Sequence, residues 1–225
     1  MVALYERYTI HSPNPIVRFA HRSRTSKSVQ IAGQSLPRGG SILDFGAGTG
    51  LMLRSLGDAR PDAELIAIEP YQQHSGDARI RYVASFDQLG GRKLDVITAF
   101  EVCEHLTDEQ LEDFFQASLG SLKSGGRIII SVPIVVGPLL PLKEINHMVL
   151  YRRRPEYTFG EFVMNLAGME IRRPPVRLGT HKGFDFRWMR RQIEKRFAIE
   201  KELYSPLALP WWLNSQAFFI CSHRI

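Results

Sequence analysis

The chain has 225 residues, 44% hydrophobic and 23% charged, which suits a globular domain with a full core and excludes a disordered or collagen-like chain. Its only cysteines, Cys103 and Cys221, exclude a disulfide framework and suit a reducing, cytoplasmic setting. The net charge of +6 is uneven: residues 1–133 hold 14 Lys+Arg against 15 Asp+Glu, net −1, and residues 134–225 hold 15 against 8, net +7.

Met1 to Arg7 carry no apolar run of the signal-peptide kind. Residues 1–40 read as an N-terminal helical cap. Pro15 to Ala32 suits one helix, with Asn14 as its cap and Pro15 in its first turn, and it carries Arg18, His21, Arg22, Arg24 and Lys27. Pro37-Arg38-Gly39-Gly40 is a turn. Ile42, Leu43 and Phe45 then read as the end of a buried parallel strand, with Asp44 at its tip. Gly46-Ala47-Gly48-Thr49-Gly50 follows, and a helix begins at Leu51. Strand, glycine turn and helix is how a doubly wound α/β sheet offers backbone to a ligand. The dinucleotide fingerprint G-x-G-x-x-G needs a glycine where Leu51 stands. The spacing here is Gly46-x-Gly48-x-Gly50, two residues beyond an acid.

That stretch resembles motif I of the class I S-adenosylmethionine-dependent methyltransferases. The resemblance implies a doubly wound α/β fold with a seven-stranded sheet, mostly parallel with the last strand antiparallel, and S-adenosyl-L-methionine as cofactor. Asp44 would face the ammonium of the methionine part, directly or through water. Gly46, Ala47, Gly48 and Gly50 would let the cofactor lie across the strand ends, because glycine has no Cβ.

The second strand, Ala63 to Ile68, ends in Glu69-Pro70. An acid about twenty positions beyond the glycine turn is placed to take both ribose hydroxyls. Ile80 to Val83 is a short third strand. Ser85, Phe86 and Asp87 follow where the family contacts adenine, although Asp87 can equally cap a short helix. The fourth strand, Leu94 to Ala99, runs into Phe100-Glu101-Val102-Cys103-Glu104-His105. This strand end resembles motif IV, the segment beside the transferable methyl group, and it adds Phe100 and Glu101 to the cofactor set. A helix runs from Thr107 or Asp108 to about Ser118, with acids in its first turn favouring the helix dipole. The run LKSGGRIIISVP, a familiar signature of the family, carries the fifth strand from Arg127 to Val132. The longest apolar stretch, Ile128 to Leu142, is too short to span a bilayer and contains Pro133, Pro138 and Pro141.

Within Glu101-x-x-Glu104-His105, a helical turn would bring both acids and the imidazole near one face. Carboxylates with imidazole serve as acid and base, or bind a divalent cation. The pattern resembles the ubiquinone-biosynthesis O-methyltransferases and the small-RNA terminal 2′-O-methyltransferases. In the RNA enzymes a further His lies beyond the fifth strand, and His181 or His147 would stand there. Glu104, His105 and His181 are the expected catalytic residues, acting without metal. Glu101, Glu104, His105 and His181 are the candidate ligands should a divalent cation be used.

Residues 133–183 read as a variable insertion, a lid shaping the substrate pocket of a single domain over 1–225. A helix from Thr158 to Leu166 closes at Gly168. Asp185 to Lys195 reads as a basic helix, Phe197 to Tyr204 and Gln216 to Ser222 as strands. Trp211-Trp212 either touch an interface or cover the sheet. The expected activity is O-methylation of a small molecule, a sugar or a lipid-linked precursor. The run THKGFDFR resembles bacterial methyltransferases associated with envelope glycans. The basic half suits a phosphorylated acceptor or a peripheral contact with a membrane surface. Two alternatives stay open: RNA 2′-O-methylation, although no separate RNA-binding module is visible, and a non-catalytic cofactor-binding partner subunit.

Overall fold

Period-two alternation along buried strands sends neighbouring side chains to opposite faces of one sheet. In the computed structural model, which describes residues 15–69, 76–138, 140–141, 157–174 and 181–224, Ile42 and Leu43 of β1 (Ser41–Phe45) enter separate hydrophobic cores. Ile42 joins Leu65, Ala67, Val96 and Ile129, and Leu43 joins Ile66, Ile97, Ile128 and Ile130. These come from β2 (Glu64–Ile68), β4 (Leu94–Phe100) and β5 (Leu122–Pro133). Strands covered on both faces read as nearly continuous apolar runs, which is why they were legible.

Helices supply both covers. α1 (Pro15–Ser35) and α2 (Leu51–Ala59) bring Ile31, Ala32, Leu53 and Leu56 to the first core. α3 (Asp108–Ser121) and α5 (Phe186–Glu194) bring Phe114, Phe115, Met189 and Ile193 to the second. Each of these Ile, Leu, Phe and Met side chains contributes roughly 1.5–3 kcal/mol by leaving water. α4 (Phe159–Leu166) lies between α3 and α5 in the chain. Helix starts follow sequence chemistry: Thr107 forms a capping box with Gln110, and Thr158 with Glu161. Asp185 caps α5 by accepting the Arg187 N–H at 2.8 Å.

With β3 (Ile80–Val83), β6 (Phe197–Ser205) and β7 (Gln216–His223), the sheet runs β3-β2-β1-β4-β5-β7-β6. β7 is antiparallel to both neighbours, and the strands from β3 to β5 are parallel. The order reverses at β1/β4, the switch point where open α/β sheets place ligands. Three boundaries differ from expectation by three residues or more. α1 continues to Ser35, where the Leu36 N–H still reaches the Ala32 carbonyl at 3.0 Å and Leu36 is buried. α3 continues to Ser121, and β5 begins at Leu122, paired with Leu94 across an irregularity that precedes the main ladder at Val96↔Arg127. Asn14, Pro70, Lys143, His147, Arg152–Arg154, Arg177 and Thr180 lie outside the described residues. Both cysteines are buried and free. Among the described residues, no helix is long and apolar enough to cross a membrane.

Candidate active site

The glycine turn is pinned to the tip of β2. The N–H groups of Gly46 and Ala47 both donate to the Ile68 carbonyl, at 2.8 and 3.2 Å, and the Gly48 N–H donates to Glu69 Oε2 at 2.9 Å. Gly46, Gly48 and Gly50 have φ of +72°, +53° and +72°, the left-handed region that favours glycine. At Gly46 space is also decisive: a Cβ there would lie 2.5 Å from Val102 Cγ2, just past β4. The tips of β1, β2 and β4 thus meet around a bare backbone.

Asp44 and Glu69 are both buried beside this turn. The Thr98 hydroxyl donates to Asp44 Oδ1 at 2.6 Å, and Asp44 pairs with Thr98 in the β1–β4 register. Burial pushes the Asp44 carboxyl up to about 7; the Thr98 hydrogen bond opposes this and the Glu69 charge adds to it. A carboxyl held near neutrality by burial is one that a cationic ligand would ionise. The backbone cradle, the two carboxylates and this unmet demand for positive charge fit S-adenosylmethionine.

The weaker cofactor candidates divide. Phe86 packs into the core, stacking on Phe45 at 5.9 Å and lying 6.3 Å from Phe114. Ser85 precedes the 3-10 turn Phe86–Leu89 without a side-chain cap bond, and Asp87 is exposed within that turn. Phe100 sits edge-on to Phe218 at 6.1 Å, against the core of α1 and α2.

The expected Glu101, Glu104 and His105 grouping is corrected by the backbone. Glu101 does not lie on a helical turn; it takes a left-handed φ of +57°, the one described non-glycine residue to do so. Such a conformation costs about 1–3 kcal/mol and persists only where the surroundings enforce it. Here the Glu101 N–H donates to the Ser131 carbonyl at 3.0 Å. Its two carboxylate oxygens accept from Arg24 Nη1 at 2.7 Å and Gln216 Nε2 at 3.0 Å. Glu101 therefore ties α1 to β7, its carboxylate held by Arg24 and Gln216 while its charge still acts on Glu104.

Glu104, on the 3-10 turn Cys103–His105, is fully buried, and both its carboxylate oxygens lack a hydrogen-bond partner. Burial raises its pKa well above the usual range, helped by the Glu101 charge and opposed by Arg24 and Arg173. His105 Nε2 and His181 Nε2 each lie 3.9 Å from Glu104 Oε1, and the two rings are 5.3 Å apart. The ligand atoms of these three residues lie within 4.8 Å of one another, which also suits a divalent cation.

His181 arrives from nearly eighty residues away, and two features aim it. Arg173 donates to the Glu104 carbonyl and lies over the rings of Phe184 and Trp188, at 5.1 and 5.4 Å. Gly183, at φ +69°, passes so close that a Cβ would lie 2.7 Å from the Arg172 carbonyl oxygen and the Arg173 Cα. Thr98, Val102, Arg24, Gln216 and Arg173 were not singled out as site residues in the sequence. Thr98 alone carried a signal, as a polar residue inside an apolar strand, but its partner follows only from strand register.

The sheet order, the glycine turn and the paired acids define a class I S-adenosylmethionine-dependent methyltransferase. Residues 18–194 match a family described as a methyltransferase domain, and the chain belongs to it; its cofactor is S-adenosylmethionine. No curated protein matches the chain. Among solved structures, magnesium protoporphyrin IX methyltransferase from Synechocystis PCC 6803, with bound SAH, is similar at 14% identity and a TM-score of 0.59, over 98% of this chain and 93% of that one. An S-adenosylmethionine-dependent methyltransferase from Clostridium acetobutylicum ATCC 824 is similar at 12% identity and 0.59, over 98% and 97%. A TehB-like enzyme from Corynebacterium glutamicum ATCC 13032 Kitasato is similar at 14% identity and 0.57, over 99% and 96%. At these identities the likeness establishes a shared fold.

Proposed function

We propose that this enzyme methylates a hydroxyl oxygen of a small molecule, a sugar or a lipid-linked precursor, with Glu104, His105 and His181 as its acceptor-side residues. The observation that carries the reading is the buried, unpartnered Glu104 carboxyl set between two imidazoles. Bound S-adenosylmethionine supplies a methyl group on a sulfonium. Asp44 and Glu69 orient that cofactor, and the glycine turn lets it approach the strand tips. His105 or His181 would take the proton of an acceptor hydroxyl methylated there. Glu104 stabilises the imidazolium so formed. Such a positioned base is worth about a hundredfold or more in rate.

Methyl-labelled cofactor offered with a small-molecule fraction, a lipid fraction or total RNA tests this. Label in either of the first two fractions, lowered about a hundredfold in His105→Asn and His181→Asn with SAH affinity unchanged, is expected. Label confined to RNA would replace the reading with 2′-O-methylation. No label, despite SAH binding, would favour a non-catalytic partner subunit.

A second reading of the same residues is favoured by the clustering of their three ligand atoms. A divalent cation there would polarise the acceptor hydroxyl. Calorimetric titration of Mn(II) or Zn(II) into the SAH-loaded protein separates the two. Binding lost in Glu104→Gln supports the cation, and no binding leaves the three side chains as base and pocket.

A further inference from the structure

α4 is turned inside out. Phe159, Val163 and Leu166 fall at i, i+4 and i+7, the stripe that an amphipathic helix normally buries. They are 85%, 47% and 36% exposed. The residue that α4 buries is polar: Asn165 Nδ2 donates to the Val135 carbonyl, and the Asn165 carbonyl accepts from the Gly137 N–H, both at 3.0 Å. The helix is held to the body by amide hydrogen bonds while its apolar stripe faces outward. Met169, just past its end, is exposed as well.

A second uncovered apolar segment adjoins it. The connection from β6 to β7 reads P-L-A-L-P-W-W-L over residues 206–213, without one charged residue, and Leu209 and Trp212 stand exposed. Gly137, bonded to Asn165 of α4, lies against this connection: a Cβ there would be 3.0 Å from the Trp211 ring. Arg187 closes the same join. Its Nη2 donates to the Gly168 carbonyl at 2.6 Å, and its guanidinium lies 5.8 Å over the Trp211 ring. α4 and the β6–β7 connection therefore border one another.

Charge completes the surface. The carboxylates of described residues 157–174 are Glu161 and Glu170. Lys182 pairs with the first at 2.7 Å and Arg191 with the second at 2.8 Å. Exposed Arg172 adds positive charge, within a half of the chain that carries a net +7. Apolar and aromatic side chains beside an exposed arginine, with the neighbouring acids neutralised in place, are complementary to an anionic lipid surface.

We propose that this face docks the enzyme on an anionic bilayer, with Phe159, Val163, Leu166, Met169, Leu209 and Trp212 entering the headgroup boundary. The inference holds whatever the methyl acceptor is. The test uses the full chain loaded with SAH. Vesicles of phosphatidylcholine mixed with phosphatidylglycerol, or of phosphatidylcholine alone, are sedimented with it, and tryptophan emission is followed. Association with the mixed vesicles, weaker on the neutral ones, and a blue shift lost in Trp212→Phe are expected. Phe159→Ser and Trp212→Ser should each weaken association about tenfold without changing SAH affinity. No association by protein that binds SAH, or association undiminished in both serine variants, overturns the proposal. So does concentration-dependent dimerisation abolished by Phe159→Ser, which assigns the face to a second copy.

Discussion

The glycine-turn side of this site and the Glu104 side, where we place the acceptor, are built in opposite ways. At the tips of β1 and β2, backbone N–H groups bond across strands, and the acids lie at fixed places in the register. Around Glu104, the groups come from the turn after β4 and from residues 173 and 181, and the central carboxyl has no hydrogen-bond partner. The difference teaches that the geometry of the glycine turn is enforced locally by backbone. The Glu104 geometry depends on a distant segment being pressed into place.

The largest expected effect lies on the cofactor side, in its response to pH. Asp44 rises from an ordinary 3.8 to about 7 on folding. The folded protein then holds this proton more tightly than the unfolded chain. Its contribution to stability is full below about pH 4 and is lost as pH rises to about 7, by at most about 4 kcal/mol. Thermal unfolding without ligand should fall across that range, and SAH should offset the loss. Asp44→Asn should make the slope shallower; Glu104, shifted the same way, supplies a further share. A slope unchanged in Asp44→Asn would remove Asp44 from the account.

Two glycines break the halves separately. Gly46→Ala and Gly183→Ala each force a Cβ into close contact at a left-handed φ, and each should cost about 1–3 kcal/mol in denaturant unfolding. The readouts should differ. Gly46→Ala should weaken SAH binding, measured by calorimetry, because the turn itself is displaced. Gly183→Ala should leave SAH affinity near normal and lower methyl transfer about tenfold, because it displaces His181. Equal loss of SAH affinity in both would mean that the halves are one mechanical unit.

The smallest effect sharpens how α1 joins the two. Arg24→Met removes a partly buried ion pair and should cost about 1 kcal/mol or less. Glu101 keeps its Gln216 hydrogen bond, so the fold survives. SAH dissociation, followed by stopped flow, should quicken a few-fold if α1 covers the cofactor. An unchanged rate would confine Arg24 to packing.

The sheet was legible because two-sided burial writes continuous apolar strands, and helix starts were legible because Thr107, Thr158 and Asp185 bond their own neighbours. The glycine turn was legible as a turn, since Gly46, Gly48 and Gly50 all take left-handed φ, and Asp44 and Glu69 lie buried beside it; their hold on a cofactor is what the SAH measurements test. Glu101 misled: its spacing to Glu104 promised one helical face, but its backbone is left-handed rather than helical and two remote partners hold its carboxylate. The outward stripe of α4 has the spacing of a buried one, and only its neighbours reveal that it faces out. The sequence by itself determined the strands, the caps and the glycine turn, since those depend on contacts close along the chain. The tertiary structure alone decided that Thr98 meets Asp44, that Arg24 holds Glu101, and that His181 joins Glu104 and His105. Those contacts depend on strand register and on segments far apart in the chain, which no local pattern encodes.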